Sequence, residues 1–338
     1  MRKIYVAPSA SRKNGYPNRY IPLLKKELEP YFEVLEADGR PCLMQGLRLI
    51  ANSFRADVFL LSFVETIAFH KMAFPQFLMA HLALWIMKAR GRKVVFIFHN
   101  PRPHKGENWM SRSLTRRQLV QSVAVISHSS QTADLARDML SGWGEDPSKV
   151  VYACHPVAGA VAPEADNLYD PVRDVLVWGE VLPYKGVAEF VSSPIIREEG
   201  LNVLIVGNCD DPALSARIRK AVEEPCPTKF TFENRAADFR ELQELVSSSA
   251  FVVFPYLPGS VSGSGALMDT LAMGGTPVGP SVGAFLDLSR EGVCKVYGSY
   301  AELAGILRCG ERIPAERLES FVRANSWPAY AKLIALLA

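Results

Sequence analysis

Short runs of β-branched and aliphatic residues alternate along the chain with longer segments whose apolar positions recur every three or four residues. This alternation predicts parallel strands joined by helices that cover both faces of a sheet. In the first half the strand-like runs fall at Lys3–Ala7, Phe32–Leu35, Val58–Ser62, Lys93–His99, Val123–Ser127 and Val150–Cys154. The helical period between them marks Arg19–Leu28, Gln45–Phe54, Ala68–Ala89, Ser111–Gln121 and Ser130–Leu140. In the second half strands are expected at Val175–Trp178, Asn202–Val206, Lys229–Phe232, Ala250–Pro255 and Thr276–Gly279. Helices are expected there near Gly186–Val191, Pro212–Val222, Phe239–Val246, Gly265–Met273 and Tyr300–Leu307.

The stretch from Pro156 to Pro171, PVAGAVAPEADNLYDP, is rich in Pro and Ala with no sustained period, and reads as a linker. A chain of 338 residues exceeds the usual span of one hydrophobic core. The fold expected is therefore α/β, with two Rossmann-like doubly wound domains, 1–158 and 171–319, facing a cleft. In open sheets ligands sit beyond the carboxyl ends of the strands, so residues just after each strand are the ones to inspect.

Composition narrows the class. Apolar residues at 49% and charged residues at 22% are those of a compact soluble protein. The net charge of +3 is too small for a phosphate-backbone footprint, so no nucleic-acid partner is expected. The six cysteines have neither zinc-site nor redox-motif spacing, which fits a reducing cytoplasm. The N-terminal apolar run ends at Pro8, and reads as a first strand rather than a secretory signal. The stretch from Phe69 to Met87 is interrupted by His70, Lys71, Pro75, Gln76 and His81, and falls short of the ~20 apolar residues of a membrane span.

Two segments carry candidate chemistry. In VLVWGEVLPYKG a strand runs into a turn containing Gly179 and Glu180, and Lys185 stands at the entry to the next helix. Backbone N–H groups at a helix start, joined by a lysine charge, accommodate a phosphate. A solvated lysine in an ordinary turn is the alternative. In the second segment, Phe251 to Phe285, a buried strand enters a Gly/Ser loop whose last residues are Ser262, Gly263, Ser264 and Gly265, followed by a helix bearing Asp269. Such a loop allows close approach to a diphosphate, and Asp269 can accept hydrogen bonds from ribose hydroxyls. The alternative is a tight connection with Asp269 on a solvated face.

Together these segments resemble the nucleotide-sugar glycosyltransferases of GT-B architecture, in particular the retaining, family 4-like branch marked by an E-x7-E motif. The resemblance runs from VWGEVLPYKG through NVLIVGNCDD, with Gly207 and Asn208, to FPYLPGSVSGSGALMDTLAMGGTPV. In the first half NRYIPLL, VVFIFHNPRPHKGEN and VVYACHP are similar to members that assemble bacterial polysaccharides, so it covers most of the chain. The closing SWPAYAKLIALL is similar to the last helix of that architecture, which implies that 320–338 returns to the N-terminal domain.

The resemblance implies transfer of a sugar from a UDP- or GDP-sugar to a hydroxyl of a glycan or lipid-linked glycan, with retention of configuration. It assigns Lys185 to the phosphates, Asp269 to the ribose, and His99, just after the strand VVFIF, to the transferred sugar as the catalytic-site residue. The chain departs from the pattern in three places. Val261 and Asp269 stand where the motif has its two Glu residues, and Glu180 stands where an Arg usually partners the lysine. Backbone N–H groups or the hydroxyls of Ser262 and Ser264 are the substitutes open to Val261's position.

Beside His99, the residues Arg102, His104 and Lys105, with Arg112, Arg116 and Arg117, form a basic patch. This is either a solvated helix face or the seat of an anionic acceptor such as a lipid diphosphate. No HExxH spacing or metal-type carboxylate pair is present, so no metal and no cofactor are expected, the nucleotide sugar being a substrate. A dinucleotide-dependent oxidoreductase would need a Gly-rich fingerprint after the first strand, where VAPSASRKNGYPN has one glycine. A binding scaffold that kept the fold and lost catalysis is the second alternative, and Val261 is its support. Finally, Ala68 to Lys93 sets Phe, Leu, Met and Trp beside Lys88, Arg90, Arg92 and Lys93. This is either a helix buried on the sheet or a peripheral contact with the inner face of the membrane.

Overall fold

The computed structural model describes residues 1–7, 12–13, 16–17, 20–35, 45–99, 107–158, 172–257 and 263–338. Two compact units emerge. One comprises Met1–Cys154 with Trp327–Ala338, and the other comprises His155–Ser326.

The first unit holds β1 (Lys3–Ala7), a short antiparallel pair β2 (Arg12–Lys13) and β3 (Tyr16–Pro17), then β4 (Glu33–Leu35), β5 (Val58–Ser62), β6 (Lys93–Ile97), β7 (Ala124–Ser127) and β8 (Val150–Tyr152). Apart from the small pair, these strands form one parallel sheet in the order β4-β1-β5-β6-β7-β8. The register sets Val6 opposite Leu60 and Leu60 opposite Val95. All of β5 is buried, as expected for a central strand covered by helices on both faces. The helices are α1 (Tyr20–Leu28), α2 (Gln45–Ser53), α3 (Ala73–Ala89), α4 (Trp109–Gln121) and α5 (Ser130–Gly142).

The single helix expected over Ala68–Ala89 is divided. A 3-10 turn spans Val64–Phe69, Met72 adopts φ 58°, and α3 begins only at Ala73. Pro75 explains this: it has no N–H to give and tolerates only the first turn of a helix, so the helix must start just before it.

The second unit holds β9 (Arg173–Trp178), β10 (Asn202–Val206), β11 (Lys229–Glu233), β12 (Ser249–Val253), β13 (Pro277–Pro280) and β14 (Lys295–Tyr297) in the order β11-β10-β9-β12-β13-β14, again all parallel. Its helices are α6 (Val187–Val191), α7 (Pro194–Arg197), α8 (Pro212–Glu223), α9 (Phe239–Ser247), α10 (Gly265–Ala272), α11 (Gly283–Arg290), α12 (Tyr300–Cys309) and α13 (Ala315–Ala324). Side-chain oxygens of Asp211, Asp238 and Ser299 cap α8, α9 and α12, each accepting from a backbone N–H that the helix leaves without an internal partner. The chain reverses direction across the sheet between β9 and β12, one strand series running outward from each. That reversal is the topological switch point at which such sheets open a crevice.

The last helix, α14 (Trp327–Leu337), belongs to the first unit. It packs on α1, with the Tyr20 and Trp327 rings edge to face at 5.1 Å. Arg2 Nη1 donates to the carbonyl of Ala338 at 2.8 Å.

Candidate functional site

The carboxyl ends of β9 and β12 open a small pocket in the second unit. Trp178, Gly179, Glu180 and Lys185 line it from the β9 side, and Phe254, Pro255 and Tyr256 from the β12 side. Lys185 ends a 3-10 turn over Pro183–Lys185, and Gly186 follows at φ 65° before the five-residue α6. The lysine thus stands at the entry to α6, as the sequence suggested, carried by a tight turn that Gly186 joins to the helix. Two features hold that turn on the strand ends. The N–H of Leu257 donates to the Tyr184 carbonyl at 2.9 Å, and a Cβ on Gly186 would fall on the Pro255 carbonyl oxygen.

Lys185 is half-buried, with its Nζ 5.6 Å from the centre of the Tyr256 ring. Among the described residues it makes no ion pair. Burial pushes its pKa below the ordinary lysine range, and the neighbouring Tyr184 and Glu180 oppose that shift. A cation in a crevice with no ion pair among the described residues is a ready partner for an incoming phosphate.

The glycines of this end of the sheet have different duties. Gly179 adopts φ 101°, and a Cβ there would lie 3.6 Å from Lys185 Nζ and 3.9 Å from Ala266 Cβ. It brings the β9 exit, the lysine and the first turn of α10 within a few ångströms of one another. Gly207 is required by its neighbour, because a Cβ would collide with the Gly179 carbonyl oxygen. The carbonyl of Asn208 accepts from the Val181 N–H at 2.8 Å, and its side-chain amide donates to Asp210 at 2.7 Å. Gly207 and Asn208 thus shape the wall behind Gly179 and Glu180.

On the far wall, α10 begins at Gly265. Ser264 is buried, and its hydroxyl accepts from the Leu267 N–H at 3.3 Å while lying 3.3 Å from the Tyr256 hydroxyl. The side chain caps the helix, which fixes the hydroxyl at the first turn of α10. Gly263 is exposed, and Gly265 meets nothing within 4 Å of a notional Cβ. Asp269 is half-buried in the second turn. Its neighbour Thr270 accepts a hydrogen bond from Trp178 Nε1 at 3.0 Å and donates to the Ala266 carbonyl at 2.9 Å. Trp178 was not singled out from the sequence, where it reads as an ordinary strand residue. Its indole N–H fixes α10 against β9 in the interior.

In the first unit His99 follows β6 and is half-buried. Its ring stacks on Phe63 at 4.2 Å and 7° and meets Tyr20 edge to face at 5.7 Å. Phe63 leaves β5 at φ 56°, a conformation that costs a non-glycine residue of order 1–3 kcal/mol. His128 lies 5.1 Å from His99, ring centre to ring centre. It is buried, and its Nδ1 lies 2.9 Å from the Ala153 carbonyl, which can only accept, so Nδ1 carries the proton. The Tyr20 hydroxyl, 3.4 Å from Nε2, is then the donor there, and the Tyr330 hydroxyl lies 3.4 Å from Tyr20 in turn. Burial pushes His128 down to about 4 and keeps the ring neutral. The sequence singles out His99 alone of this group; Tyr20, His128 and Tyr330 are brought together beside it by the fold.

Nearby, Glu65 is pushed up to about 7 by burial, opposed by a backbone hydrogen bond and by Gln118. Of the basic patch, Arg112 is exposed and 3.7 Å from Glu107, and Arg116 lies over the Trp143 ring at 5.0 Å. Arg102, His104, Lys105, Val261 and Ser262 lie outside the described residues. Among the described residues no three His, Cys, Asp or Glu side chains cluster as a metal site, and no helix is long and apolar enough to cross a membrane.

No protein-family model matches the sequence, and no curated protein sequence matches it. Solved structures do match. Anabaena HepE in complex with UDP-glucose superposes with a TM-score of 0.67 at 12% identity, over 99% of this chain and 98% of that one. AviGT4, a glycosyltransferase involved in avilamycin A biosynthesis, gives 0.64 at 17% identity, over 100% and 97%. The lipopolysaccharide outer core galactosyltransferase WaaB, in its apo form, gives 0.60 at 10% identity, over 99% of each chain. At these identities the likeness establishes the fold, which is α/β with two Rossmann-like units, the GT-B architecture of those glycosyltransferases.

Proposed function

We propose that this chain is a glycosyltransferase that binds a nucleoside-diphosphate sugar in the crevice between β9 and β12 and transfers the sugar to a hydroxyl of a glycan acceptor. The observation that carries the proposal is Lys185, a cation set beside Gly179 in the crevice at the switch point of the second sheet. In this reading the lysine meets the diphosphate and stabilises the charge that develops as it leaves, where a fixed donor acts most strongly. The first N–H groups of α10, at Gly265 and Ala266, face the same negative charge. Asp269, one turn further on, takes the ribose hydroxyls, and His99 contacts the transferred sugar.

UDP or GDP is the donor nucleotide; the likeness to HepE, solved with UDP-glucose, supports a uridine donor, and the likeness to WaaB, a lipopolysaccharide outer core galactosyltransferase, supports a role in bacterial polysaccharide assembly. Retention of configuration follows if the acceptor attacks from the face that the nucleotide leaves, the departing phosphate taking the proton. No dedicated protein base is then needed, and no metal. The chain works in the cytoplasm, and a lipid-linked acceptor would bring it to the inner face of the membrane.

One observation favours a second reading, in which the chain binds nucleotide sugars without transferring them. Val261 offers no carboxylate where the E-x7-E pattern has its first Glu, and Glu180 replaces the usual Arg. Calorimetry with UDP and GDP, paired with release of the nucleotide from their sugars, tests both. Binding with release supports the transferase, binding without release the scaffold, and absence of binding refutes the two together.

A further inference from the structure

The structure exposes an apolar stripe that the sequence left undecided between core and surface. Along α3, Phe74 (54% exposed), Leu78 (51%), Leu82 (48%) and Trp85 (59%) recur at helical spacing on the face away from the sheet. The opposite face, with Phe77, Ala80, Ala83, Leu84 and Met87, is buried in the core. The neighbouring helix extends the stripe. α2 lies close along α3, since a Cβ on Gly46 would come within 2.7 Å of Met79 Cβ, and it exposes Leu47, while Phe54 is exposed just beyond its end. Arg90, after the end of α3, sits over the Phe54 ring at 5.3 Å and ties the two helix ends together. Six large apolar side chains exposed along two adjacent helices mark a contact site rather than chance exposure.

Charge identifies the occupant. Neither α2 nor α3 carries an acidic residue. Between Gln45 and Lys93 there are seven Lys and Arg but only two acids, and both acids are occupied. Asp57 pairs with Arg92 at 2.8 Å, and the Glu65 side chain turns inward to Gln118. Lys71, Lys88, Arg90 and Lys93 are exposed beside the apolar stripe. A second copy of the chain would bring the same uncompensated positive charge to the contact, whereas an anionic bilayer brings phosphates at headgroup depth and apolar tails beneath them. Trp85 suits the boundary between those layers.

We infer that the α2–α3 face docks this protein on an anionic lipid bilayer, with α3 lying in the membrane surface, Phe74, Leu78, Leu82 and Trp85 entering the acyl boundary, and Lys71, Lys88 and Arg90 meeting lipid phosphates. The inference stands whether or not the chain is a transferase, because none of these residues belongs to the β9–β12 crevice.

Flotation of the full chain with phosphatidylcholine vesicles, with and without one third phosphatidylglycerol, tests it at low and high salt. Binding is expected to the anionic vesicles only, and to fall as salt rises. Lys88→Glu with Arg90→Glu should weaken it at least about twenty-fold, since each basic residue at such a surface contributes roughly a five-fold factor. Leu78→Gln with Trp85→Gln should abolish it. All four side chains are solvent-facing, so the fold, read by circular dichroism and by UDP affinity, should remain that of the unmodified chain. Absence of flotation by the folded chain overturns the inference, as does equal flotation by the variants. A concentration-dependent dimer that Leu78→Gln with Trp85→Gln dissolves, with no vesicle binding, would overturn it in favour of a second copy.

Discussion

Replacing Lys185 by Met separates two consequences of holding a cation in the crevice. The aliphatic stem is matched in length while the charge is removed. A charge-assisted hydrogen bond to a diphosphate contributes about 1.5–3 kcal/mol, so Lys185→Met should weaken nucleotide binding about 10- to 150-fold. In thermal unfolding, nucleotide at 100 times its dissociation constant stabilises by about 2.7 kcal/mol, a rise of about 5–10 °C for a unit of this size. The variant should lose most of that rise at the same nucleotide concentration. The ligand-free protein should respond in the opposite sense. Burial depresses the pKa of Lys185, so below that pKa the folded state bears the cost of a desolvated charge which the unfolded chain does not. Between that depressed value and the unfolded 10.5 the folded protein binds fewer protons, so stability rises with pH across that window. Lys185→Met should therefore unfold at higher temperature than the unmodified chain at pH 7, with the gap closing above pH 10. Calorimetry with UDP and GDP, alongside unfolding scans at pH 7 and pH 10.5, reads both effects. Undiminished nucleotide affinity would refute the phosphate assignment, and a lower ligand-free midpoint at pH 7 would refute the burial argument.

Other expectations follow from single contacts. Gly207→Ala should cost 2 kcal/mol or more, on the order of an overpacked core, because the new methyl meets the Gly179 carbonyl, whereas Gly265→Ala, facing open space, should be neutral or stabilise by about 0.5 kcal/mol; urea midpoints distinguish them. Trp178→Phe should cost about 1–2 kcal/mol by removing the bond to Thr270, measured in the same way. His128, near 4 against 6.5 unfolded, makes stability rise with pH between those values, while Glu65, near 7 against 4.5, makes it fall with rising pH from 4.5 to 7. The two slopes oppose one another over pH 4.5–6.5, so Glu65→Gln should make the protein more acid-sensitive and His128→Phe should reverse the slope, as unfolding at pH 5 and pH 7 will show. Asp269→Asn should weaken nucleotide binding by 1.5 kcal/mol or more through lost ribose contacts, while leaving inorganic diphosphate binding unchanged.

The alternation of strand-like and helix-like runs was enough to read eleven strands of the two sheets from the sequence, because buried parallel strands are short runs rich in β-branched and aliphatic residues, set apart by their length from the longer helical segments between them. β14 escaped, since Lys295–Tyr297 is three residues long at a sheet edge and carries too little pattern. α11 escaped because Gly283–Arg290 follows a Gly/Pro-rich stretch that reads as loop. The turn that carries Lys185 was legible because a glycine-bearing turn after a strand has a local signature. The surroundings of His99 were not legible: Tyr20, His128 and Tyr330 meet across up to 310 positions of chain, and only folding brings them together. The exposed stripe of α3 was ambiguous for a different reason. Its apolar residues surround the helix, so periodicity does not say which face the core takes.

The central claim is tested most directly by release of UDP or GDP from a panel of their sugars, with and without glycan acceptors and with EDTA present, in the unmodified chain, Lys185→Met and Asp269→Asn. The account predicts nucleotide release from at least one UDP- or GDP-sugar, undiminished by EDTA and lowered ten-fold or more in both variants. Release from none of them by a chain that binds nucleotide, or release that both variants retain in full, would contradict it.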